Sequence, residues 1–475
     1  MEWGKSMISR ENLYLINNYA DFYCMKGQCP HTCCKNWIIA IDEDTEENIR
    51  NRIKSANLKN KIILKLSMHY ENNGILSIRK VMGTCPYYTR DGLCGHEKRG
   101  DKDLMPLICR MYPRRVVQVG TSRVEVTMEL SCFSAALWFL KNKDTPKLVS
   151  AIDYDYKEGK KDGDEKSNIA NTLEVLWKKK NDAPSYLIFL DELRKKAIDE
   201  LMDTVGIEDI LFTIKDQYER ICLIQNELLS NTIDGEVDHE LLKLFSHDVG
   251  YADTEDIIDK ADIEYKANTV DIICKADSTE NAENIEDKEN TDNADIKENI
   301  LQLPIPITVL NRVIYECFDL NSQKKKNPVF YRLLRGYDRL FGNDSPDTAE
   351  QNFFKFYKKM VSGEGTLEID TSVYKRYMSY CLMEEIPDAY EDYYLVGKYL
   401  FSIFYTELWM LFDVVSRFDE QTKRVFINEA YINKSTDYLE ADILSAFERA
   451  FRHSPTIKKN ILAIIREDYL SHTKK

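Results

Sequence analysis

Eight of the twelve cysteines lie in the first 132 residues of this 475-residue chain. Listed in order, they are Cys24, Cys29, Cys33, Cys34, Cys85, Cys94, Cys109 and Cys132. Gly27 and Pro30 interrupt regular structure in the first run, and Pro86 follows Cys85, so we expect loops to present these thiols. Because the other cysteines are scattered, the clustering predicts a separate Cys-rich domain over residues 1–140.

The clustered thiols indicate a metal centre. Residues 1–14 lack the apolar stretch of a secretion signal, which predicts a cytoplasmic protein whose thiols stay reduced. Cysteines kept only as small buried side chains would have no reason to cluster. Several thiolates can share a small volume when a cation offsets their repulsion. Structural disulfides and inert packing are the alternatives to metal.

The spacing favours an iron-sulfur cluster, of the 4Fe-4S type, over zinc. Cys24-x₄-Cys29 and Cys29-x₃-Cys33 resemble zinc knuckles, but no matching pair follows downstream. An iron-sulfur cluster can take four thiolates from distant loops. Residues 79–123 carry 10 basic and 4 acidic residues, which would offset the negative charge of such a cluster. His31 and His96 are further possible ligands, and zinc is the alternative metal.

Two extended segments are predicted within the Cys-rich part. Residues 37–41 form a short β-rich run, and the polar residues from Asp42 to Thr45 are expected to cap a helix that begins near Glu46. Residues 115–130 alternate valine and threonine with polar residues around Gly120, which predicts a β-hairpin.

Beyond residue 134 the chain is predicted to be mainly helical. Apolar residues recur with helical period in residues 135–141, 170–178 and 186–212, and aromatic residues do so in residues 330–334, 353–357, 374–380 and 393–412. We interpret these aromatic stretches as packed core. The apolar stretch 394–412 contains Lys398 and Glu407, which favours a buried helix over a membrane span.

The predicted fold class is mainly α with a small, partly β, Cys-rich N-terminal metal domain and no Rossmann methyltransferase sheet. Residues 247–300 carry 17 acidic and 5 basic residues, so most of the formal charge of −15 lies there, as is typical of a disordered insertion. The predicted divisions are 1–140, a helical domain over 141–249, the acidic insertion over 250–300, and a helical, Tyr/Phe-rich domain over 301–475. No basic stripe with stacking aromatics indicates nucleic-acid binding.

Several short motifs combine the cysteines with particular neighbours. They are Cys24-x₄-Cys29-x₃-Cys33-Cys34-Lys35-Asn36-Trp37, Cys85-Pro86, Gly92-Leu93-Cys94, Cys109-Arg110-Met111-Tyr112-Pro113-Arg114 and Leu130-Ser131-Cys132. In these motifs residues 20–140 resemble the flagellin lysine N-methylase family, and the short elements also recur in a wider group of zinc- or iron-chelating domains. The resemblance implies methyl transfer from S-adenosylmethionine to lysine ε-amino groups of flagellin, with an iron-sulfur cluster on the N-terminal cysteines.

Residues beside the cysteines are candidates for the reaction that this resemblance implies. Arg110 or Arg114 is expected to pair with the carboxylate of S-adenosylmethionine. Alternatively, the amino and carboxylate groups of S-adenosylmethionine could ligate an open iron position. Tyr112 is the candidate catalytic residue, because a protonated lysine must lose a proton before it attacks. Asp42 is weaker, since an acidic residue after a strand usually caps a helix. Gly363-Glu364-Gly365 is only a fragment of a dinucleotide motif and predicts a turn.

Two other functions fit the same residues. One is a metal-binding or electron-transfer protein, with zinc or an iron-sulfur cluster, whose helical half docks a partner. The other is a structural zinc domain that scaffolds a helical interaction protein. The Cys-x₃-Cys-x₂-Cys signature of radical S-adenosylmethionine chemistry is incomplete, because its third position falls on Asn36.

Overall fold

The structure is a computed structural model that describes residues 4–5, 10–35, 37–71, 74–121, 123–153, 176–177, 183–231, 303–362, 370–392, 394–426, 436–452 and 455–472. Three predictions fall outside these residues. They are the acidic insertion over 250–300, most of the helix over 170–178, and the turn at Gly363-Glu364-Gly365. The described part of that predicted helix, Leu176–Trp177, is a strand instead, because it pairs with Gly4–Lys5.

Helices dominate the described residues, which confirms a mainly α fold. The helices are α1 (Glu43–Ser55), α2 (Leu58–Leu66), α3 (Gly95–Arg99), α4 (Leu107–Met111), α5 (Phe133–Lys141), α6 (Pro184–Asp203), α7 (Gly206–Asn231), α8 (Ile307–Cys317), α9 (Leu320–Lys326), α10 (Pro328–Phe341), α11 (Pro346–Val361), α12 (Ser372–Glu385), α13 (Ala389–Asp392), α14 (Leu395–Phe418), α15 (Glu420–Phe426), α16 (Thr436–Phe451) and α17 (Pro455–His472). The strands are β1 (Gly4–Lys5), β2 (Leu13–Ile16), β3 (Met68–Tyr70), β4 (Leu76–Ile78), β5 (Arg114–Val119), β6 (Arg123–Met128), β7 (Leu148–Ser150) and β8 (Leu176–Trp177).

A four-stranded sheet with the order β5-β6-β2-β7 forms the largest β element among the described residues. Strand β2 pairs in parallel with β6 and antiparallel with β7, so it is an inner strand of the sheet. Strands β1 and β8, and strands β3 and β4, form two separate two-stranded sheets. No Rossmann-type sheet occurs in the part of the chain that the structure describes.

The predicted hairpin over residues 115–130 is confirmed. Strands β5 and β6 are antiparallel with a register that runs from Arg114 opposite Met128 to Val119 opposite Arg123. The chain turns at Gly120, as the sequence predicted. This hairpin leads directly to Cys132 and thereby fixes the start of α5.

The segment 37–41 forms less β structure than predicted. Ile41 N–H donates to the Leu76 carbonyl (2.9 Å), and Ile78 N–H donates to the Ile39 carbonyl (2.9 Å). Only one β-bridge results, between Ala40 and Ser77, because the segment ends at once in α1. The predicted cap is confirmed, since the Asp42 carboxylate accepts the Thr45 N–H at 3.0 Å.

The helical pattern predicted over residues 186–212 is confirmed, and the structure divides it between two helices. Helix α6 ends at Asp203, and α7 begins at Gly206. The Val205 N–H donates to the Asp209 carboxylate at 2.7 Å, which fixes the new N-terminus. The apolar period continues across the break because Leu201 of α6 and Ile210 of α7 are buried in the same core.

One main hydrophobic core joins the four-stranded sheet to most of the helices, with members from Leu13 to Ile465. The aromatic stretches predicted as core are buried there, as Phe330, Tyr357 and Tyr377 show. Helix α14 is long and apolar enough to cross a membrane, but its most apolar 18-residue window is 100% buried inside the protein, as in a core helix. A second, smaller core contains Ile39 and its neighbours beneath the Cys-rich segment.

Candidate metal centre

The first four cysteines lie on an irregular loop between β2 and α1. A 3₁₀ turn over Lys26–Gln28 leads into Cys29. The Met25 N–H donates to Ser134 Oγ of α5 at 3.2 Å, and the His31 imidazole hydrogen-bonds to the Asp442 carboxylate of α16. Contacts to two helices therefore hold this loop, although it has little secondary structure of its own.

A second turn brings Cys85 and Cys94 to the end of that loop. The Cys85 N–H donates to the Cys34 carbonyl at 2.9 Å. A β-bridge joins Tyr88 to Cys94, which closes the turn between the two cysteines. Backbone pairing thus brings Cys34, Cys85 and Cys94 into the same region.

The last two cysteines stand at helices. Cys109 lies in α4, whose first N–H, that of Leu107, donates to the Asp42 carboxylate at 2.6 Å. Asp42 therefore caps two helices, which accounts for both of its carboxylate oxygens and leaves it unsuited to catalysis. Cys132 is the residue immediately before α5, and its N–H donates to the Glu129 carbonyl at 3.0 Å.

Four thiols form a first group, consisting of Cys34, Cys85, Cys94 and Cys109. Burial raises the pKa of the Cys109 thiol, and the thiols of Cys85, Cys34 and Cys94 raise it further. Burial, together with the thiols of Cys34 and Cys94, raises the pKa of Cys85 to about 11. The ammonium group of Lys80 interacts with three of these thiols, so a cation already lies beside the group.

Three thiols form a second group, consisting of Cys24, Cys29 and Cys132. Burial raises the pKa of Cys132 to about 12, and the thiols of Cys29 and Cys24 add to this increase. Burial also raises the pKa of Cys29, whereas the Arg449 guanidinium of α16 lowers it. The Cys29 thiol donates a hydrogen bond to the His31 carbonyl at 3.1 Å.

Cys33 lies between the two groups. Its thiol donates to the sulfur of Cys34, and this hydrogen bond raises the pKa of Cys33 and lowers the pKa of Cys34. The Cys33 thiol also interacts with those of Cys109 and Cys132. Charge interactions thus link the thiols in pairs, but the described residues contain no group of three or more placed to hold a metal ion, so the eight predicted ligands stay a prediction.

The donor set consists of free thiols, which serve as ligands for both zinc and iron-sulfur clusters. All cysteines within the described residues carry free thiols. The same residues contain no group of three or more His, Cys, Asp or Glu placed to hold a single ion. A tetrahedral zinc site with Zn–S bonds of about 2.3 Å holds its sulfur atoms only about 3.8 Å apart. In an iron-sulfur cluster the thiolates bind different irons and stand farther apart.

Tyr112 and the two predicted cofactor-binding arginines lie beside this network in different settings. The Tyr112 hydroxyl hydrogen-bonds with Ser131 Oγ (3.2 Å), and burial raises its pKa well above the usual range. The Arg114 Nε donates to the Tyr19 hydroxyl at 2.5 Å, so this side chain is engaged with the 3₁₀ turn that follows β2. Arg110 is half-buried in α4, directly after Cys109.

The two histidines weighed as ligands also differ. His96 is buried, its ring packs on Tyr87 with centroids 3.9 Å apart, and burial lowers its pKa to about 4. The Arg99 guanidinium, 3.3 Å from His96 Nδ1, contributes to that decrease. His31 lies at the second thiol group but bonds to Asp442. We therefore assign His31 an anchoring role for its loop.

Sequence reasoning missed the residues that the C-terminal half contributes. Helix α16 packs against α5 and places Asp442 and Arg449 at the second thiol group. Arg449 also donates to the Ser131 carbonyl at 3.2 Å. An acidic and a basic residue on a distant helix resemble an ordinary solvent-facing pattern, so the sequence offers no signal for either.

A pocket of about 170 Å³ opens beside the second thiol group. Its lining consists of Asp21, Tyr23, Met25, Ser134, Leu137, Trp138, Lys141 and Asn142. Ser134 connects the pocket to the thiols, because its hydroxyl hydrogen-bonds with Cys29. The Trp138 indole N–H donates to the Asn18 carbonyl at 2.9 Å, which fixes one wall.

No family model, curated protein or solved structure matches this chain. The motif resemblance over residues 20–140 therefore receives no support from these comparisons. The described residues offer free thiols, nearby cations and an adjacent pocket, but no group of three or more side chains placed to hold a metal ion.

Proposed function

We propose that this protein is an S-adenosylmethionine-dependent lysine N-methyltransferase that acts on flagellin and carries an iron-sulfur cluster on its N-terminal cysteines. The observations that support the proposal are the free thiols of the N-terminal segments, the backbone contact between the Cys34 and Cys85 loops, and the pocket near Cys29. The motif resemblance supplies the substrate and the methyl donor.

The residues present fit the cluster. When bound, an iron-sulfur cluster supplies an iron atom at which the amino and carboxylate groups of S-adenosylmethionine can be held. The thiols would hold the cluster, and Lys80 and Arg449 would offset its negative charge. Arg110, next to Cys109, remains our candidate for the donor carboxylate. Arg114 is the weaker candidate, because its Nε already donates to Tyr19.

The pocket suits the lysine side chain and not the whole methyl donor. A cavity of about 150 Å³ holds a benzene-sized molecule, whereas sites for larger ligands span roughly 300–1,000 Å³. Leu137 and Met25 offer apolar surface for the methylene stem, and Trp138 offers an aromatic face for the amine end. We therefore assign the pocket to the substrate lysine.

Two exposed charges line the pocket and act on that lysine in opposite directions. Asp21 attracts the incoming ammonium group, while the Lys141 ammonium in the same lining favours loss of its proton. The lysine loses its proton to solvent, and the neutral amine then attacks the sulfonium methyl carbon. A nitrogen–carbon bond forms, the carbon–sulfur bond breaks with its electron pair going to sulfur, and S-adenosylhomocysteine leaves.

In this proposal Tyr112 does not act as a base. Its raised pKa keeps the phenol neutral at physiological pH, so it can donate a hydrogen bond but cannot readily accept a proton. Its ring packs on Trp37 with centroids 5.3 Å apart. We therefore expect Tyr112 to orient groups beside Cys132, and a Tyr112→Phe variant to lower kcat while the metal content stays unchanged.

The decisive experiment uses full-length protein purified anaerobically, with iron and sulfide analysis. This protein is incubated with S-adenosylmethionine and unmodified flagellin, and flagellin peptides are analysed by mass spectrometry. We expect methylated lysines, no methylation with a Cys24→Ser/Cys132→Ser variant, and full methylation with Cys222→Ser, whose thiol lies in α7 outside the network.

Two outcomes would overturn the proposal. Protein loaded with iron and sulfide that methylates no lysine would remove the enzymatic assignment. Anaerobic protein that binds only zinc would remove the cluster and leave the structural zinc alternative. Reversible reduction of a cluster without methyl transfer would identify the electron-transfer alternative.

A further inference from the structure

We infer that helix α2 is an interfacial helix that binds the surface of an anionic phospholipid bilayer. The contact surface is an apolar ridge, formed by Leu58, Ile62 and Leu66, together with the basic residues around it. The helix would lie on the bilayer and not span it. This inference is independent of the metal centre and of methyl transfer.

The apolar ridge faces away from the protein. Leu64 of α2 is buried in the small core that contains Ile39. At about 100° per residue, positions i, i+4 and i+8 share one helix face, which lies about 160° from Leu64 around the axis. Leu58, Ile62 and Leu66 have this spacing and are 75%, 49% and 62% exposed. Single exposed apolar residues are ordinary, whereas an exposed row on one face marks a contact surface.

The chain around the ridge is strongly basic. Residues 50–66 contain six basic and no acidic residues. Among the described residues, the ion pairs of this segment join Arg50 to Glu46, and Arg52 to Asp101 and Asp103. The positive charge of the four lysines is therefore not offset by an acidic partner there. These lysines are Lys54, Lys59, Lys61 and Lys65.

Two of the lysines flank the ridge. Around the helix axis, Lys65 lies about 20° beyond Leu58, and Lys59 lies about 20° beyond Leu66 on the other side. Both lysines are exposed. Their ammonium groups can reach lipid phosphates while the leucine and isoleucine side chains enter the apolar layer below, because lysine stems extend along apolar surface.

An anionic bilayer fits this surface better than nucleic acid or an acidic protein does. Single-stranded nucleic acid is bound by aromatic side chains that stack on bases, whereas the ridge is aliphatic. A protein partner would need a groove shaped to a short convex ridge. A bilayer needs no such groove, and its negative surface complements a segment with six basic and no acidic residues.

The test is co-sedimentation of the full-length, anaerobically purified protein with phospholipid vesicles. One set of vesicles contains phosphatidylglycerol and phosphatidylcholine in equal parts, and the other contains phosphatidylcholine alone. We expect binding to the anionic vesicles and little to the neutral ones. Binding to the anionic vesicles should weaken as salt is added, because salt screens the attraction between lysines and phosphates.

Two variants separate the charged and apolar parts of the surface. Lys59→Gln/Lys65→Gln should lower the partition coefficient about 30-fold, since each lysine near an anionic surface contributes about fivefold. Leu58→Gln/Ile62→Gln/Leu66→Gln should lower it about tenfold or more, because the apolar anchor is lost while glutamine retains helix propensity.

Matched controls remove similar side chains elsewhere. Lys358→Gln/Lys359→Gln removes two exposed lysines of α11, and Phe212→Gln removes a 71% exposed aromatic residue of α7. Both controls should bind anionic vesicles as the wild type does. Circular dichroism checks the fold of each variant. The lysine variant changes exposed charges only, so it tests the surface even if the apolar variant is unstable.

Three results would overturn the inference. The first is a wild-type chain that stays in solution with anionic vesicles. The second is equal loss of binding in the lysine variant and in the controls. The third is a dimer, seen by analytical ultracentrifugation, that the apolar variant converts to monomers without any vesicle binding by the wild type; the ridge would then belong to a second copy of the chain. Methyl transfer, assayed without vesicles, is unaffected by any of these results.

Discussion

The contact between the two Cys-bearing loops can be tested through a pair of glycines. Gly27 lies between Cys24 and Cys29, and Gly92 lies between Cys85 and Cys94. A methyl group on Gly92 would stand 2.7 Å from Gly27 Cα, and one on Gly27 would overlap the Asp91 carbonyl oxygen. Replacement of either glycine by alanine must therefore push the loops apart.

The magnitudes follow from two separate costs. Gly27→Ala adds only overpacking, about 1–3 kcal/mol of unfolding free energy. Gly92 has φ +79°, so Gly92→Ala adds a backbone cost of about 1–2 kcal/mol to the same overlap. Gly74 has φ +81° with nothing within 4 Å of an added methyl group, so Gly74→Ala has the backbone cost alone and is the matched control.

The assay is anaerobic denaturant unfolding, followed by circular dichroism, together with the rate of metal loss to a chelator. We expect Gly92→Ala to be less stable than Gly74→Ala and to lose metal faster. The double variant Gly27→Ala/Gly92→Ala should cost less than the sum of the single variants, because the loops separate only once. Equal stability of Gly92→Ala and Gly74→Ala, or strict additivity in the double variant, would refute the contact.

Three further predictions concern other parts of the molecule. Asp442→Ala removes the carboxylate that holds His31, and we expect metal affinity to fall by about tenfold or more in a chelator competition, as for other groups that support ligands; unchanged affinity would contradict the anchoring role. Lys141→Ala should move the acidic limb of kcat/KM for flagellin to higher pH, because the substrate amine loses a neighbouring cation; an unmoved limb would count against the pocket assignment. Glu407 is buried, which raises its pKa well above 4.5, while its carboxylate accepts the Ile305 N–H at 3.0 Å. The fold therefore binds a proton there more tightly than the unfolded chain does, so wild-type stability should decline as pH rises above 4.5, and Glu407→Gln should lessen that decline in pH-dependent denaturation.

Local sequence patterns predicted those elements whose causes are local. The Asp42 cap, the hairpin through Gly120 and the buried helix α14 each follow from residues close together in the chain. The break between α6 and α7 was missed because Gly206 interrupts the backbone without interrupting the apolar period.

The site itself was predictable only in part. The cysteine spacing predicted a shared region, and the structure places the Cys34 and Cys85 loops in backbone contact without forming a metal-binding group among the described residues. The spacing did not predict which cysteines pack against which hydrophobic core, because that depends on the tertiary fold. The contributions of Asp442 and Arg449 depend on α16 packing against α5, a long-range contact that no local periodicity encodes.

The position of α16 has a consequence for biosynthesis. The eight cysteines leave the ribosome early, whereas Arg449 and Asp442 follow Cys132 by roughly 300 residues, on the order of 15–60 s at bacterial and eukaryotic elongation rates of about 5–20 residues per second. During that interval the nascent thiols lack the helix that anchors His31 and faces Cys29. We therefore expect the metal site that includes Cys29 to form after translation ends. Oxidants and competing metal ions should react with the nascent chain far more readily than with the folded protein.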